Sequence, residues 1–207
     1  MYVPPRFAQT DRDQCLALIE REPFGLLATV DGEGLPFATH LPFLLEKRGE
    51  EVLLAGHVAR ANPHWRSFDG ARQALAVFQG PHGYISPAWY ASSAKVPTWN
   101  YVAVHAYGAP RVVDDAGAAL EAIAALTARF ETGRPDPWTM SSLPDGAAEK
   151  LLAALVVFEM PVVRLEGKWK LGQHMPGEDR LGAIAGLARE GGDAALIDAM
   201  KPEGETA

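Results

Sequence analysis

The segment TWNYVAVHAYGAPRVV, residues 98–113, alternates its side chains too strictly to be anything but an extended strand. Tyr101, Ala103, His105 and Tyr107 share one face, and Val102, Val104 and Ala106 the other, because successive side chains of a strand point to opposite sides. The second face belongs to a core, while the first is polar and aromatic. A strand of this length needs neighbours. FGLLATV, LPFATHLPFLLE, EVLLAGHV, RQALAVFQG and VVFEMPVVRLE supply them, as apolar stretches parted by turns such as DGEG and KRGE. Roughly seven strands, interrupted by helices but without regular βαβ alternation, predict a mainly β chain with attached helices (α+β), built on an antiparallel barrel.

The helices are marked by their ends. Thr10 and Asp13 read as a capping box for a helix over 11–22. Asn62 and Pro63 are a good N-cap and first residue for a short helix in NPHWRSF. Asp114 or Asp115 begins an Ala-rich helix that runs to Phe130, and DGAAEKLLAAL gives a second one. The tail carries the patterns DRLGAIAGLARE and DAALIDAMK, divided by Gly191 and Gly192, and its last residues, PEGETA, are expected to fray.

Composition narrows the function. A net charge of −7 with scattered Lys and Arg argues against wrapping nucleic acid, which needs clustered cations to neutralise phosphates. The longest apolar runs, LPFLL and LLAALVVF, fall far short of a membrane span. MYVPPRF lacks the layout of a signal peptide, and the single Cys15 cannot form an internal disulfide, so the expected setting is the reducing cytoplasm.

Familiar catalytic patterns are missing. The histidines, at 40, 57, 64, 82, 105 and 174, include no HExxH and no close helical pair, so no metal site is expected. Cys15 falls on the apolar face of its helix, no serine sits in a GxSxG turn, and phosphate loops are lacking; no catalytic residue is assigned. In GHVARANPHW, by contrast, His57 and Arg60 stand just before a helix start, where free N–H groups and a planar guanidinium would suit a phosphate. In ATHLPFLL, His40 and Pro42 interrupt an otherwise core-like strand; Pro42 removes a ladder donor, so the strand lies at an edge or bends. QGPHGYISPAWY, 79–90, sets Tyr84, Trp89, Tyr90 and His82 among turn residues, a wall for a cleft or a subunit contact. Trp65 and Phe78 read as core. These features together suit a planar phosphorylated cofactor held by aromatics, backbone amides and one or two cations.

MYVPPRF, THLPFLL, GHVARANPHW, FQGPHGYISPAWY, VPTWNYVAVHAYG and KWKLGQHMP occur in an order and spacing that resemble the PaiB-like proteins, FMN-binding negative transcriptional regulators. The resemblance spans residues 1–176, with 177–207 as a helical tail packed on the same domain. It implies a six-stranded antiparallel split β-barrel related to pyridoxamine-phosphate oxidases, forming a homodimer with FMN in a cleft at the subunit interface. Carried over, Thr39, His40 and Pro42 line the isoalloxazine ring, and His57, Arg60 and Asn62 fall at its phosphate. Trp99, Asn100 and Tyr101 join the cleft, and Lys170 and Gln173 match a family motif near the end of the barrel, from which Gly172 and His174 depart. The implied function couples flavin or a small ligand to gene regulation without direct DNA binding. The alternative is an FMN-dependent oxidoreductase acting on a small molecule, with NAD(P)H as a possible partner.

Overall fold

The computed structural model of the chain describes residues 1–93, 95–144 and 146–202. Most of the PEGETA segment, and Asp145 at the head of the second predicted helix, lie outside the described residues. The order is β1 (Ala8–Gln9), α1 (Arg12–Arg21), β2 (Phe24–Val30), β3 (Pro36–Pro42), β4 (Leu44–Arg48), β5 (Glu51–Ala59), β6 (Ala74–Ile85), β7 (Thr98–Gly108) and β8 (Arg111–Val112). Then follow α2 (Ala116–Glu131), α3 (Ala147–Ala153), β9 (Leu155–Pro161), β10 (Arg164–Lys170), α4 (Gly177–Arg189) and α5 (Ala194–Met200). Two antiparallel sheets result, ordered β1-β10-β7-β6-β2-β3 and β4-β5-β9-β8. Neither closes on itself, as in a split barrel. In β7 the expected alternation holds except at Ala103: Val102, Val104 and Ala106 are buried and Tyr101, His105 and Tyr107 half-buried, while Ala103, on the polar face, is buried too.

The chain divides into two compact units, 1–15 with 79–104 and the segment from 166 onward, and 16–78 with 105–165. In the larger unit β2 and β3 pair from Phe24↔Pro42 to Val30↔Pro36. Their turn is fixed by Asp31, whose Oδ1 accepts from the N–H groups of Glu33 and Leu35 at 2.9 Å each. β3 is the last strand of its sheet and ends at Pro42, and β4 starts two residues later in the other sheet, so the proline marks both an edge and a bend. β4, β5 and β9 then pair in turn, Leu44↔Ala55 to Arg48↔Glu51 and Leu53↔Pro161 to Ala59↔Leu155. Phe43 meets Phe78 and Phe158 edge-on at ring separations of 5.3 and 6.2 Å, and Phe68 tilts against Phe158 at 4.8 Å. These rings, all at most 5% exposed, are the centre of its core, each burial contributing about 1.5–3 kcal/mol. Asp115, its Oδ1 accepting from Ala118 N–H at 2.7 Å, caps α2.

In the smaller unit β1 pairs with β10, Ala8↔Lys168 and Gln9↔Gly167. The cap of α1 is Asp11 rather than the expected Thr10: its Oδ1 accepts from Asp13 N–H at 2.9 Å and Gln14 N–H at 3.2 Å. Asp13 thus uses its amide, not its carboxylate, at this helix start. Gly191, at φ 71°, turns the chain from α4 into α5, and Asp193 caps α5 through Ala195 N–H at 2.8 Å. Among the described residues no helix is long and apolar enough to cross a membrane.

Candidate functional site

The loop after β5 is built around Asn62. Its Oδ1 accepts from His64 N–H at 3.0 Å, and Pro63 opens a 3-10 turn, Pro63–Ser67. The expected helix is therefore a single short turn, without the macrodipole of a full helix. What the turn does is deliver the His64 ring into a buried polar cluster, 2% exposed. His64 Nε2 lies 2.9 Å from Thr29 Oγ1, and Nδ1 lies 2.8 Å from Thr39 Oγ1. Thr29 Oγ1 is 3.2 Å from Ser67 Oγ, which donates to His64 O at 2.7 Å, and Asn62 Nδ2 donates to Thr39 Oγ1 at 3.2 Å. Phe37 and Phe68 flank the ring at 4.8 and 5.1 Å. Burial pushes its pKa down to about 4, so the imidazole is neutral at pH 7. Thr29, Phe37, His64 and Ser67, with Arg66 and Arg72, border a cavity of about 430 Å³.

Arg60 stands on the same loop and is held rigidly. Its backbone N–H donates to Ala154 O, Nε to Ala153 O and Nη2 to Leu155 O, each at 2.8 Å. Its own carbonyl accepts from Trp65 Nε1 at 3.0 Å. Arg60 and Trp65, with Val113, Asp114, Leu120 and Leu155, line a second cavity of about 600 Å³. Trp65, expected in the core, is half-buried and forms cavity wall; Phe78 is core, 0% exposed. His57 lies among Ala122, Ile123 and Leu126 of α2, with its buried Nδ1 lacking a hydrogen-bond partner among the described residues. Burial pushes its pKa down as well, so it brings no charge to an anion. His40 is exposed and stacks on Phe24 at 6.2 Å, and Pro42 pairs with Phe24 at the end of the hairpin.

The other expected residues lie in the smaller unit. Trp99 is 54% exposed, with His82 stacked at 6.2 Å and Tyr84, 45% exposed, edge-on at 6.3 Å. Lys170 Nζ donates to Thr98 Oγ1 and to Trp99 O. Burial and the neighbouring Lys168 lower its pKa. Lys168 sits 5.2 Å from the Tyr101 ring and donates to Tyr2 O at 3.1 Å. Asn100, buried, directs Nδ2 toward Met200 Sδ at 3.4 Å. Gln173 spends both ends of its amide on the backbone, Nε2 to Trp169 O at 2.6 Å and Oε1 from Leu171 N–H at 2.8 Å. His174 meets the Phe7 ring edge-on at 5.2 Å; burial, then Arg6, Lys170 and Lys95, depress its pKa.

Residues 1–164 match the family described as "Putative FMN-binding domain". The chain belongs to this FMN-binding family. Protease synthase and sporulation protein PAI 2 of Bacillus subtilis (strain 168) is 34% identical over 190 residues, 92% of this chain and 90% of that protein, which bears out the PaiB-like resemblance. Two solved structures share the fold. The flavocytochrome Anf3 from Azotobacter vinelandii superposes with a TM-score of 0.60 at 17% identity, over 81% of this chain and 72% of that one. The FAD and heme binding protein from Mycobacterium smegmatis gives 0.59 at 22% identity, over 86% and 80%. The architecture is thus the split-barrel one, and FMN is the family's cofactor.

The larger unit fits that group chemically. A guanidinium has five N–H donors, of which Arg60 has committed two to carbonyls, and its anchored plane leaves the others for phosphate oxygens. The adjoining cavity of about 600 Å³ falls in the size range of cofactor sites. Asn62 and Thr39 carry polar groups of fixed direction, but neither belongs to the lining of that cavity. Thr29, His64 and Ser67 were not singled out by sequence. The cue was the Asn62–Pro63 turn, which aims the second residue after the cap back at the sheet.

Proposed function

We infer that the protein is an FMN-binding split-barrel regulator, in which the state of a bound flavin or small ligand is coupled to gene expression through another component. The observation that carries FMN binding is Arg60, a cation pinned by two main-chain carbonyls at the edge of a roomy cavity. Arg60 is read as the phosphate holder and Thr39 as a group that orients the ring; Asn62, expected at the phosphate, is read with Thr39 because its Nδ2 donates to Thr39 Oγ1 at 3.2 Å. The remaining assignments follow the family pattern: His40 and Pro42 beside the ring, and Trp99, Asn100, Tyr101, Lys170 and Gln173 completing a cleft at a homodimer interface. Bound FMN supplies a redox centre that accepts or releases a hydride. The regulatory part is supported by the name of the Bacillus subtilis relative, a protease synthase and sporulation protein. A net charge of −7 favours an indirect route over operator contact, and a cytoplasmic setting belongs to the same reading.

The exposed rings of His82, Tyr84 and Trp99 favour a second reading, an FMN-dependent oxidoreductase whose planar co-substrate rests on them. FMN titration followed by absorbance and by size-exclusion chromatography tests the first reading: a yellow dimer is expected, and a colourless protein that refuses FMN would refute it. NAD(P)H-driven reduction of the flavin with turnover of an acceptor would move the function to the second.

A further inference from the structure

The hydrogen-bond cluster around His64 has only one self-consistent set of donors. Ser67 Oγ–H is spent on His64 O at 2.7 Å, so across the 3.2 Å contact with Thr29 the serine must accept and Thr29 must donate. Thr29 then has no proton left for His64, and across 2.9 Å the histidine donates from Nε2. A neutral imidazole carries one N–H, which leaves Nδ1 as an acceptor; across 2.8 Å Thr39 donates to it. At Asn62 the amide orientation is fixed because Oδ1 receives His64 N–H, so Nδ2 faces Thr39 Oγ1 as a donor. The proton order runs without a gap from Asn62 through Thr39, His64 and Thr29 to Ser67 and back to the His64 carbonyl. Reversing one member forces two protons, or two lone pairs, together at the next.

The outcome lies at the half-buried end. Thr39 has used its only proton and keeps one lone pair, while Asn62 keeps one amide hydrogen. We propose that Ser67, Thr29 and His64 form a polarity lock that presents Thr39 Oγ1 as an acceptor beside Asn62 Nδ2 as a donor, selecting a ligand edge with an N–H next to a carbonyl. The pyrimidine part of an isoalloxazine has such an edge, as does any cyclic imide, and in naming flavin the proposal rests on the FMN reading above. His64 is a positioning residue that acts through Thr39. The lock also gives Thr29 and Ser67, on the other side of the ring, control over how the ligand edge is read.

The lock is tested on flavin-free protein by 15N NMR of histidine-labelled chain, with His64→Asn identifying the resonance. A proton on Nε2 of His64 is expected; a proton on Nδ1 overturns the lock. Thr39→Val and Thr29→Ser should leave the proton on Nε2, whereas Ser67→Ala should release it to both nitrogens; an unchanged spectrum in Ser67→Ala also overturns the lock. The edge is tested by titrating wild type with FMN and with FMN methylated at ring N3. One lost hydrogen bond weakens the analogue by up to about tenfold, and Ser67→Ala should bring the two affinities together. Equal affinities in the wild type overturn the edge. Failure to bind either flavin refutes the FMN reading and the edge with it, while the nitrogen spectrum alone still decides the lock.

Discussion

A Cβ placed on Gly186 would lie 2.2 Å from Cδ2 of the Trp89 indole. One turn earlier, a Cβ on Gly182 would lie 2.1 Å from the Trp89 carbonyl oxygen. The indole is therefore seated in a notch of α4 that only glycine leaves open, and Nε1 closes it by donating to Glu190 at 3.2 Å. Gly186→Ala gains helix propensity, about 1 kcal/mol, but must displace the rigid root of a ring. A net destabilisation of about 1–3 kcal/mol is expected from overpacking, with loss of the native Trp fluorescence; urea denaturation of the two proteins measures it.

Arg60→Ala should weaken FMN by about 1.5–3 kcal/mol, the range for hydrogen bonds to a charged group. Because the same side chain ties Ala153 and Leu155, a loss of stability should accompany it. Flavin titration and a thermal melt of the flavin-free protein separate the two effects. Unchanged affinity would remove Arg60 from the phosphate.

His64 makes stability depend on acid. Its folded value, about 4, lies below the ordinary 6.5, so between these values the unfolded chain binds more protons and stability rises with pH. The contribution is complete above pH 6.5 and is lost as pH falls toward 4, to a total of about 3 kcal/mol. In His64→Asn that part of the slope should vanish, as read from denaturation midpoints at pH 4.5 and 7.

Cys15 should be unreactive in the native protein. It is 2% exposed, and burial, aided by the Asp11 carboxylate, pushes the thiol up to about 11. A disulfide reagent at pH 8 should label it only after denaturant is added; rapid native labelling would contradict this packing.

Local patterns carried much of this structure. The alternation was legible over 98–108 because the two faces of β7 meet different surroundings, while 111–112, expected in the same strand, leaves as β8 for the other sheet; the Asn62–Pro63 start was legible because a cap acts on its own neighbours. Pro42 announced an edge for the same reason. The His64 cluster was not legible: Thr29, Thr39 and His64 come from three segments, and nothing near His64 in the chain signals the hydroxyls that receive it. The pattern of 79–90 sets Trp89 beside Tyr84 in a wall for a cleft or a subunit contact; in the fold Trp89 packs on α4, while Tyr84 is an exposed ring. Their separation depends on Gly182 and Gly186, nearly a hundred residues further on.

The pairing of β1 with β10 decides where the chain can be cut. The recognised family segment stops at residue 164, where β10 begins, yet Ala8 and Gln9 find their ladder partners at Lys168 and Gly167. Trimming to the matched boundary would strand the first β-segment, leaving its edge unpaired and aggregation-prone, and would discard Lys168 and Lys170 as well. The shortest fragment worth expressing therefore reaches past Lys170, and because Trp89 packs on Gly182 and Gly186 of α4 and bonds Glu190, one that stays in solution should extend through Glu190.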